Sequence, residues 1–331
     1  MLAFMRKVPF IARLGGLASG AVLLVSAWVF YFDDRRPSHS SMVGILTIEL
    51  PEGRGRGTAV LVDACGILTT FHAVFGPWYV TAIRKPSHEF VATFTLTEAT
   101  QLDGASQSTS ATPVVWGNYL GPDRQFRRAG EDWVYLVLED CLGLNYGYFN
   151  IRPLEPEELE GSEELSAIGY SSGSQMMDPR CAIEIDPSVQ AGAWQHDCVL
   201  LLGDSGGPLF VRDTKSLVAL GSSAVARPGE PICGADTSGA TAIRRDGTVA
   251  CANLAVPLSR EIIARVRDAE IACGVQRVLL QLGYDAGPLG SVDEPKARAA
   301  IEQFQRSVGL DVTGEATDSL WMILLLQLYM G

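Results

Sequence analysis

The spacing of apolar and polar positions divides the chain into unlike parts. Residues 14–32 form an almost uncharged run behind Arg6, Lys7 and Arg13, about as long as a helix that crosses a bilayer. The aromatic cluster Trp28-Val29-Phe30-Tyr31-Phe32 closes it in the manner of an interfacial belt. The run predicts a signal-anchor over residues 1–33, the basic flank favouring an N-terminus on the inside and Arg35-Arg36 opposing it. Val25-Ser26-Ala27 leaves a cleaved signal peptide as the alternative. A polar tether covers 34–41. From Met42 the pattern turns to short β-like segments at 43–50, 58–62 and 67–70, divided by Pro51, a glycine-rich turn and Gly66. Others follow at 79–83, 90–96 and 133–138, with a Ser/Thr/Ala-rich surface loop expected over 98–111. A glutamate-rich connection at 152–164 separates these from a second set at 165–170, 208–211, 217–220 and 254–256.

Helical spacing takes over at the C-terminal end. Residues 259–270 place Ile262, Ile263 and Val266 on one side with Ser259 as N-cap. A second helix is predicted from Val275 to a glycine cap near Gly283, and a third opens at Asp293-Glu294-Pro295 with Ala297, Ala300, Ile301 and Phe304 on one face and stops at Gly309. A last helix begins near Thr317.

Length and composition narrow the class. The 331 residues can hold two domains, and 47% hydrophobic residues suffice for a core. With 26 basic against 38 acidic residues the net charge is −12, which argues against a nucleic-acid partner. The 7 cysteines leave at least one unpaired. Cys181 with Cys198 and Cys233 with Cys251 are the favoured pairs, Cys65 with Cys141 a weaker one, and Cys273 is left over. His196-Asp197-Cys198 is not joined by the further N or S ligands that a zinc site needs, so neither a metal nor a cofactor is expected.

The candidate chemistry lies in Gly203-Asp204-Ser205-Gly206-Gly207-Pro208-Leu209. Glycines there allow the backbone to turn N–H groups to one point, and the donors of Gly203 and Ser205 could stabilise the oxyanion formed when Ser205 attacks a carbonyl. Such a serine needs a base and a carboxylate. The histidines, at 39, 72, 88 and 196, all precede Ser205. That order rejects the G-x-S-x-G elbow fold, whose histidine follows its serine, and leaves the order His, Asp, Ser. The best base is His72, in an apolar run, and the best acid Asp132, directly before the apolar strand 133–138; Asp123 and Asp140 lack that setting.

The motifs Leu68-Thr69-Thr70-Phe71-His72-Ala73-Val74, Asp132-Trp133-Val134-Tyr135-Leu136 and Gly203 to Leu209 resemble, in family order, the histidine, aspartate and serine motifs of bacterial trypsin/chymotrypsin-like serine peptidases. The resemblance implies an all-β double β-barrel over 42–270, with barrels at 42–151 and 165–257 and a closing helix at 259–270. It implies catalysis by His72, Asp132 and Ser205, and hydrolysis of protein or peptide substrates. It puts the base of the specificity pocket near Val199, with Ser222, Ser223 and Ala224 on the strand that pairs with substrate and Asn253 at the pocket wall. An uncharged base disfavours Lys or Arg before the scissile bond, so a small or apolar residue is expected there. In the resembling peptidases Asp204 pairs with an amine released by activation cleavage. Met42-Val43-Gly44 is a poor match to that terminus and reads better as part of a first strand, so no cleavage is expected and Asp204 is assigned another partner.

The segments Leu282-Gly283-Tyr284-Asp285-Ala286-Gly287-Pro288, Ala299-Ala300-Ile301-Glu302-Gln303-Phe304-Gln305 and Gly309-Leu310-Asp311-Val312-Thr313-Gly314 resemble the three-helix peptidoglycan-binding domain. This implies a small C-terminal domain over 272–331, with peptidoglycan as a possible partner. Together the parts describe a membrane-anchored endopeptidase whose catalytic domain is in the periplasm or outside the cell, secreted if the leader is cleaved. The alternative is an inactive peptidase-like scaffold that binds cell wall or peptides.

Overall fold

The computed structural model describes residues 38–50, 53–75, 91–97, 107–119, 129–153, 165–171, 173–181, 183–184, 192–196, 198, 203–214, 216–225, 252–291 and 295–330. The first half is a closed barrel of β1 (Val43–Leu50), β2 (Gly53–Leu61), β3 (Gly66–Thr69), β4 (Val91–Leu96), β5 (Gln107–Trp116) and β6 (Val134–Leu138), in the order β1-β2-β3-β6-β5-β4. Every neighbouring pair is antiparallel, and closure comes from β1 on β4. Val43 pairs with Val60 in the β1–β2 ladder and is fully buried, so it is built into the barrel wall as a first strand.

The loop expected over 98–111 is corrected at its end, because Gln107 to Ala111 open β5. Thr109 and Ala111 turn inward while Ser108 and Ser110 face out. This is the period of a strand, written in side chains too small and polar to announce it. The segment 79–83 lies outside the described residues.

The second half is an eight-stranded sheet. Its main path runs β10 (Ile183–Glu184), β11 (Trp194–His196), β14 (Ala252–Pro257), β13 (Ser216–Val225), β12 (Pro208–Val211), β8 (Leu165–Ser171), β9 (Ser174–Cys181), and β7 (Asn150–Ile151) pairs with β13. Among the described residues this path is open, where a second closed barrel was expected. Yet its two ends, β9 and β10, are separated by one residue of chain, and Cys181 is disulfide-bonded to Cys198, just beyond β11. The sheet therefore curls back on itself. One apolar core joins both halves, through Phe94, Trp133 and Leu136 on one side and Ile168, Phe210 and Leu220 on the other.

The C-terminal helices depart from expectation in one respect. Helices at 259–270 and 275–284 are a single helix, α3 (Arg260–Gln281), following the short α1 (Phe71–Phe75) and α2 (Gly143–Tyr146). Ser259 caps it by accepting from the Ile262 N–H, and Gly283 ends it at φ +89°. Gly274 is no breaker, because it lies against an indole: a Cβ there would be 2.9 Å from the Trp321 ring. Trp321 belongs to α5 (Asp318–Met330), which with α3 and α4 (Pro295–Val308) encloses a core of Val275, Leu279, Ile301, Phe304, Leu320 and Leu324.

This bundle is fixed to the first barrel. Arg277 donates to the Leu138 and Glu139 carbonyls, and Arg265 donates to the Trp116 carbonyl while lying 4.8 Å over the Trp133 ring. Among the described residues no helix is long and apolar enough to cross a membrane; the signal-anchor run 14–32 lies outside them. Gly274→Leu is expected to lower stability by about 1–3 kcal/mol through overpacking against Trp321. Thermal unfolding of the full chain checks this, and an unmoved midpoint contradicts the contact.

Candidate active site

Asp132 is completely buried, two residues before β6 begins at Val134. A carboxylate in such a place needs donors, and it has three. Oδ1 accepts the backbone N–H of His72 at 2.9 Å, Oδ2 lies 2.7 Å from His72 Nδ1, and the Ser222 hydroxyl donates to the same Oδ2. An ionised carboxylate can only accept, so Nδ1 carries the proton and Nε2 is left as the basic nitrogen of the ring. His72 sits on α1, its side chain about a third exposed. Acid and backbone thus orient the imidazole together.

Ser222 owes its place to an irregularity. The β13–β14 register shifts between Gly221 and Ala224, leaving Ser222 and Ser223 out of the ladder, as bulges beside active sites often do. The freed Ser222 residue then works in two directions. Its hydroxyl meets Asp132, and its carbonyl accepts the Ser205 hydroxyl at 3.0 Å. The Ser205 hydroxyl is therefore not bonded to His72 here. A hydroxyl has one proton to give, and in this rotamer it goes to the strand.

The serine loop is held from the first barrel. Thr58, fully buried on β2, donates its N–H to the Ser205 carbonyl at 2.9 Å and its hydroxyl to the Gly203 carbonyl at 2.9 Å. The same hydroxyl accepts the Tyr170 N–H, and the Thr58 carbonyl accepts the Thr69 hydroxyl. Gly206, at φ +88°, has no room for a side chain, since a Cβ would fall 2.0 Å from Thr69 Oγ1 and 2.2 Å from the Thr58 carbonyl. Gly57 lies in the same seam, where a Cβ would be 2.8 Å from Ala73 Cβ and 3.2 Å from the Ser205 carbonyl. Ala73, on the His72 helix, and the Ser205 carbonyl thus both lie against Gly57. Gly203 is at φ +105°. Among the described residues neither its N–H nor that of Ser205 has a hydrogen-bond partner. Asp204 is buried against Gly169, where any Cβ would collide with its carboxylate.

Of the remaining residues read from the sequence, Asn253 is buried and donates to the Cys198 carbonyl at 2.6 Å. Ser223 and Ala224 are in β13, while Val199, Cys233 and Cys251 lie outside the described residues. Disulfides join Cys181 to Cys198 and Cys65 to Cys141, and Cys273 is free and buried, its thiol pushed up to about 12 chiefly by burial. Thr58 was missed in the sequence; the Thr-Ala-Val apolar strand around it gives no sign of a residue whose work is done by backbone contacts.

Residues 274–324 match the family model described as a putative peptidoglycan binding domain. No curated protein matches the chain. Among solved structures it is similar to the thermostable serine protease AL20 from an extremophilic microorganism, at 13% identity over 69% of this chain and 95% of that one, with a TM-score of 0.46. It is similar to the protease Anisep from Arthrobacter nicotinovorans, at 13% identity over 70% and 95% with a TM-score of 0.45, and to a Glu endopeptidase, at 15% over 69% and 89% with a TM-score of 0.43.

Thr58→Val keeps shape but removes the hydroxyl from the Gly203 carbonyl and the Tyr170 N–H. It is expected to cost about 1–3 kcal/mol, the penalty for polar groups left unpaired inside. Chemical denaturation of the full chain measures it, and an unchanged midpoint removes Thr58 from the clamp.

Proposed function

We propose that the chain is a serine endopeptidase that hydrolyses peptide bonds through an acyl-enzyme on Ser205. The observation that carries this reading is the convergence on Ser222. One residue holds the Asp132 carboxylate behind His72 and also touches the Ser205 hydroxyl. A turn of Ser205 about χ1 frees the hydroxyl for His72 Nε2. That nitrogen takes the proton as Ser205 attacks and returns it to the leaving amine, while Asp132 stabilises the imidazolium. The N–H groups of Gly203 and Ser205 are the proposed donors to the oxyanion. None of these steps calls on a metal or cofactor.

The competing reading, a non-catalytic scaffold that binds peptides, is favoured by the Ser205 hydroxyl resting on the Ser222 carbonyl. A fluorophosphonate probe decides between them. It is expected to label the full chain at Ser205, and to fail with Ser205→Ala and His72→Ala. Asp132→Asn is expected to lower kcat by roughly 10³–10⁴, the scale of losing the correct imidazole tautomer. Absence of labelling in the unaltered chain rejects the peptidase.

The proposed setting is the cell envelope, with the chain anchored through residues 14–32 and its catalytic part outside the cytoplasm. Two disulfides in a chain of this size support an oxidising compartment. The C-terminal bundle is proposed to bind peptidoglycan. The full chain should co-sediment with purified insoluble peptidoglycan and remain soluble without it; failure to co-sediment removes wall binding.

A further inference from the structure

Residues 39–42 lead into β1 of the first barrel, yet they make contacts on the second sheet. The His39 ring stacks on Phe210, with 4.6 Å between centroids, and lies 5.8 Å from Phe149. Both phenylalanines are fully buried, and Phe210 belongs to β12, which starts at Pro208, just beyond the Ser205 loop. The Ser41 hydroxyl donates to the Tyr146 carbonyl, and Ser41 and Met42 are buried. A flexible spacer needs none of these anchors.

A hydrogen-bonded path runs from the same segment to the loop. Gln175 Nε2 donates to the Ser40 carbonyl at 3.2 Å and to the Tyr170 hydroxyl at 2.9 Å. That hydroxyl also accepts from Thr97 and donates to the carbonyl of Val43, the first residue of β1. Its one proton and both lone pairs are thereby engaged, and the residue is buried. The main chain of Tyr170 carries the path onward. Its N–H donates to the Thr58 hydroxyl, which donates in turn to the Gly203 carbonyl. Its own carbonyl lies against Gly203, where a Cβ would be only 2.7 Å away. The lead-in to β1 and the Ser205 loop are thus two ends of one network, of the kind in which bonds strengthen one another.

We infer that residues 39–42 are a strap that positions the Ser205 loop, and that Tyr170 is the positioning residue through which the strap acts. The inference rests on the endopeptidase reading. The proposed oxyanion donors are backbone N–H groups of Gly203 and Ser205, so their aim is set by the main chain of the loop. That main chain is held at Gly203 by Thr58 and Tyr170, and it continues into the strand on which His39 stacks. Release of the strap frees the Tyr170 side chain on one side of the loop and the Phe210 ring on the other. The sign is opposite to that of activation by cleavage. Here it is the uncut chain, running from His39 into Val43, that keeps the loop in place.

The test uses the full chain carrying His39→Ala, Gln175→Leu or Tyr170→Phe, with His39→Phe as the variant that keeps a ring on Phe210. The first three are expected to lower kcat about tenfold with KM unchanged, short of the roughly 10²–10³ lost when an oxyanion donor is removed outright. His39→Phe should recover the loss. Amide hydrogen exchange, measured well below each unfolding midpoint, separates positioning from plain support of the fold. Positioning predicts lost protection at 203–207 and at Tyr170, with β3 on the His72 side unmoved. Protection lost evenly over both halves, a raised KM with kcat intact, or variants matching the unaltered chain in both readouts overturn the strap. Exchange needs no turnover, so the two readings fail separately. A chain that takes no fluorophosphonate label but loosens at 203–207 in the variants sinks the peptidase and leaves the strap. Labelling with loop and kcat unmoved sinks the strap alone.

Discussion

The candidate site exists because one buried threonine on the first barrel holds a loop that belongs to the second sheet. His72 and Asp132 come from one half of the molecule and Ser205 from the other, so their relative placement depends on the seam between halves. Thr58 occupies that seam with its N–H, hydroxyl and carbonyl all engaged, two of them by the loop carrying Ser205. Gly206 and Gly57 supply the close approach: a carbon on Gly206 would collide with Thr69 and Thr58 across the seam, and one on Gly57 would collide with Ala73 and crowd the Ser205 carbonyl. In a buried network of this kind each bond is stronger than in water and each loss more costly. The precision of the site is therefore a property of the contact between the two halves and not of either half alone.

The second constraint is electrostatic. A carboxylate with no solvent access survives only if its lone pairs are occupied, and Asp132 is served by His72 twice and by Ser222 once. The backbone donor matters as much as the ring, because it fixes where α1 begins relative to β6. The bulge in β13 supplies the third donor and at the same time turns a carbonyl towards Ser205. Buried charge and displaced strand thus explain each other.

How much of this was legible in the sequence depended on how locally each feature is written. His72, Asp132 and the glycines around Ser205 could be picked out because they stand in short local patterns, and the structure joins His72 to Asp132 and brings Asp132 and Ser205 to the same Ser222. The amphipathic α4 and the glycine ends at Gly283 and Gly309 were readable for the same reason. Strand β5 was not, because Gln107 to Ala111 use small polar side chains on a tightly closed barrel. Strand β9 was missed because two methionines and an aspartate do not alternate. The unbroken α3 was hidden by Gly274, whose role is set by Trp321 almost fifty residues later. Which acceptor the Ser205 hydroxyl chooses depends on a strand bulge, and a bulge leaves no mark in a single sequence.

The continuity of α3 changes what the C-terminal bundle can be. A module on a flexible linker samples a volume set by linker length, and whatever it holds is merely kept nearby. Here one 22-residue helix is shared. Its first half packs Ile262, Val266 and Ala269 into the core shared by the barrel and the sheet, and its second half packs Val275 and Leu279 into the bundle. Swinging the bundle away would require breaking that helix, withdrawing Arg277 from two barrel carbonyls and lifting Gly290 from Thr112 and Val137. A ligand on the bundle is consequently held in a fixed relation to the first barrel, along a rod about 33 Å long. The bundle and the candidate site are registered to each other by a rigid element.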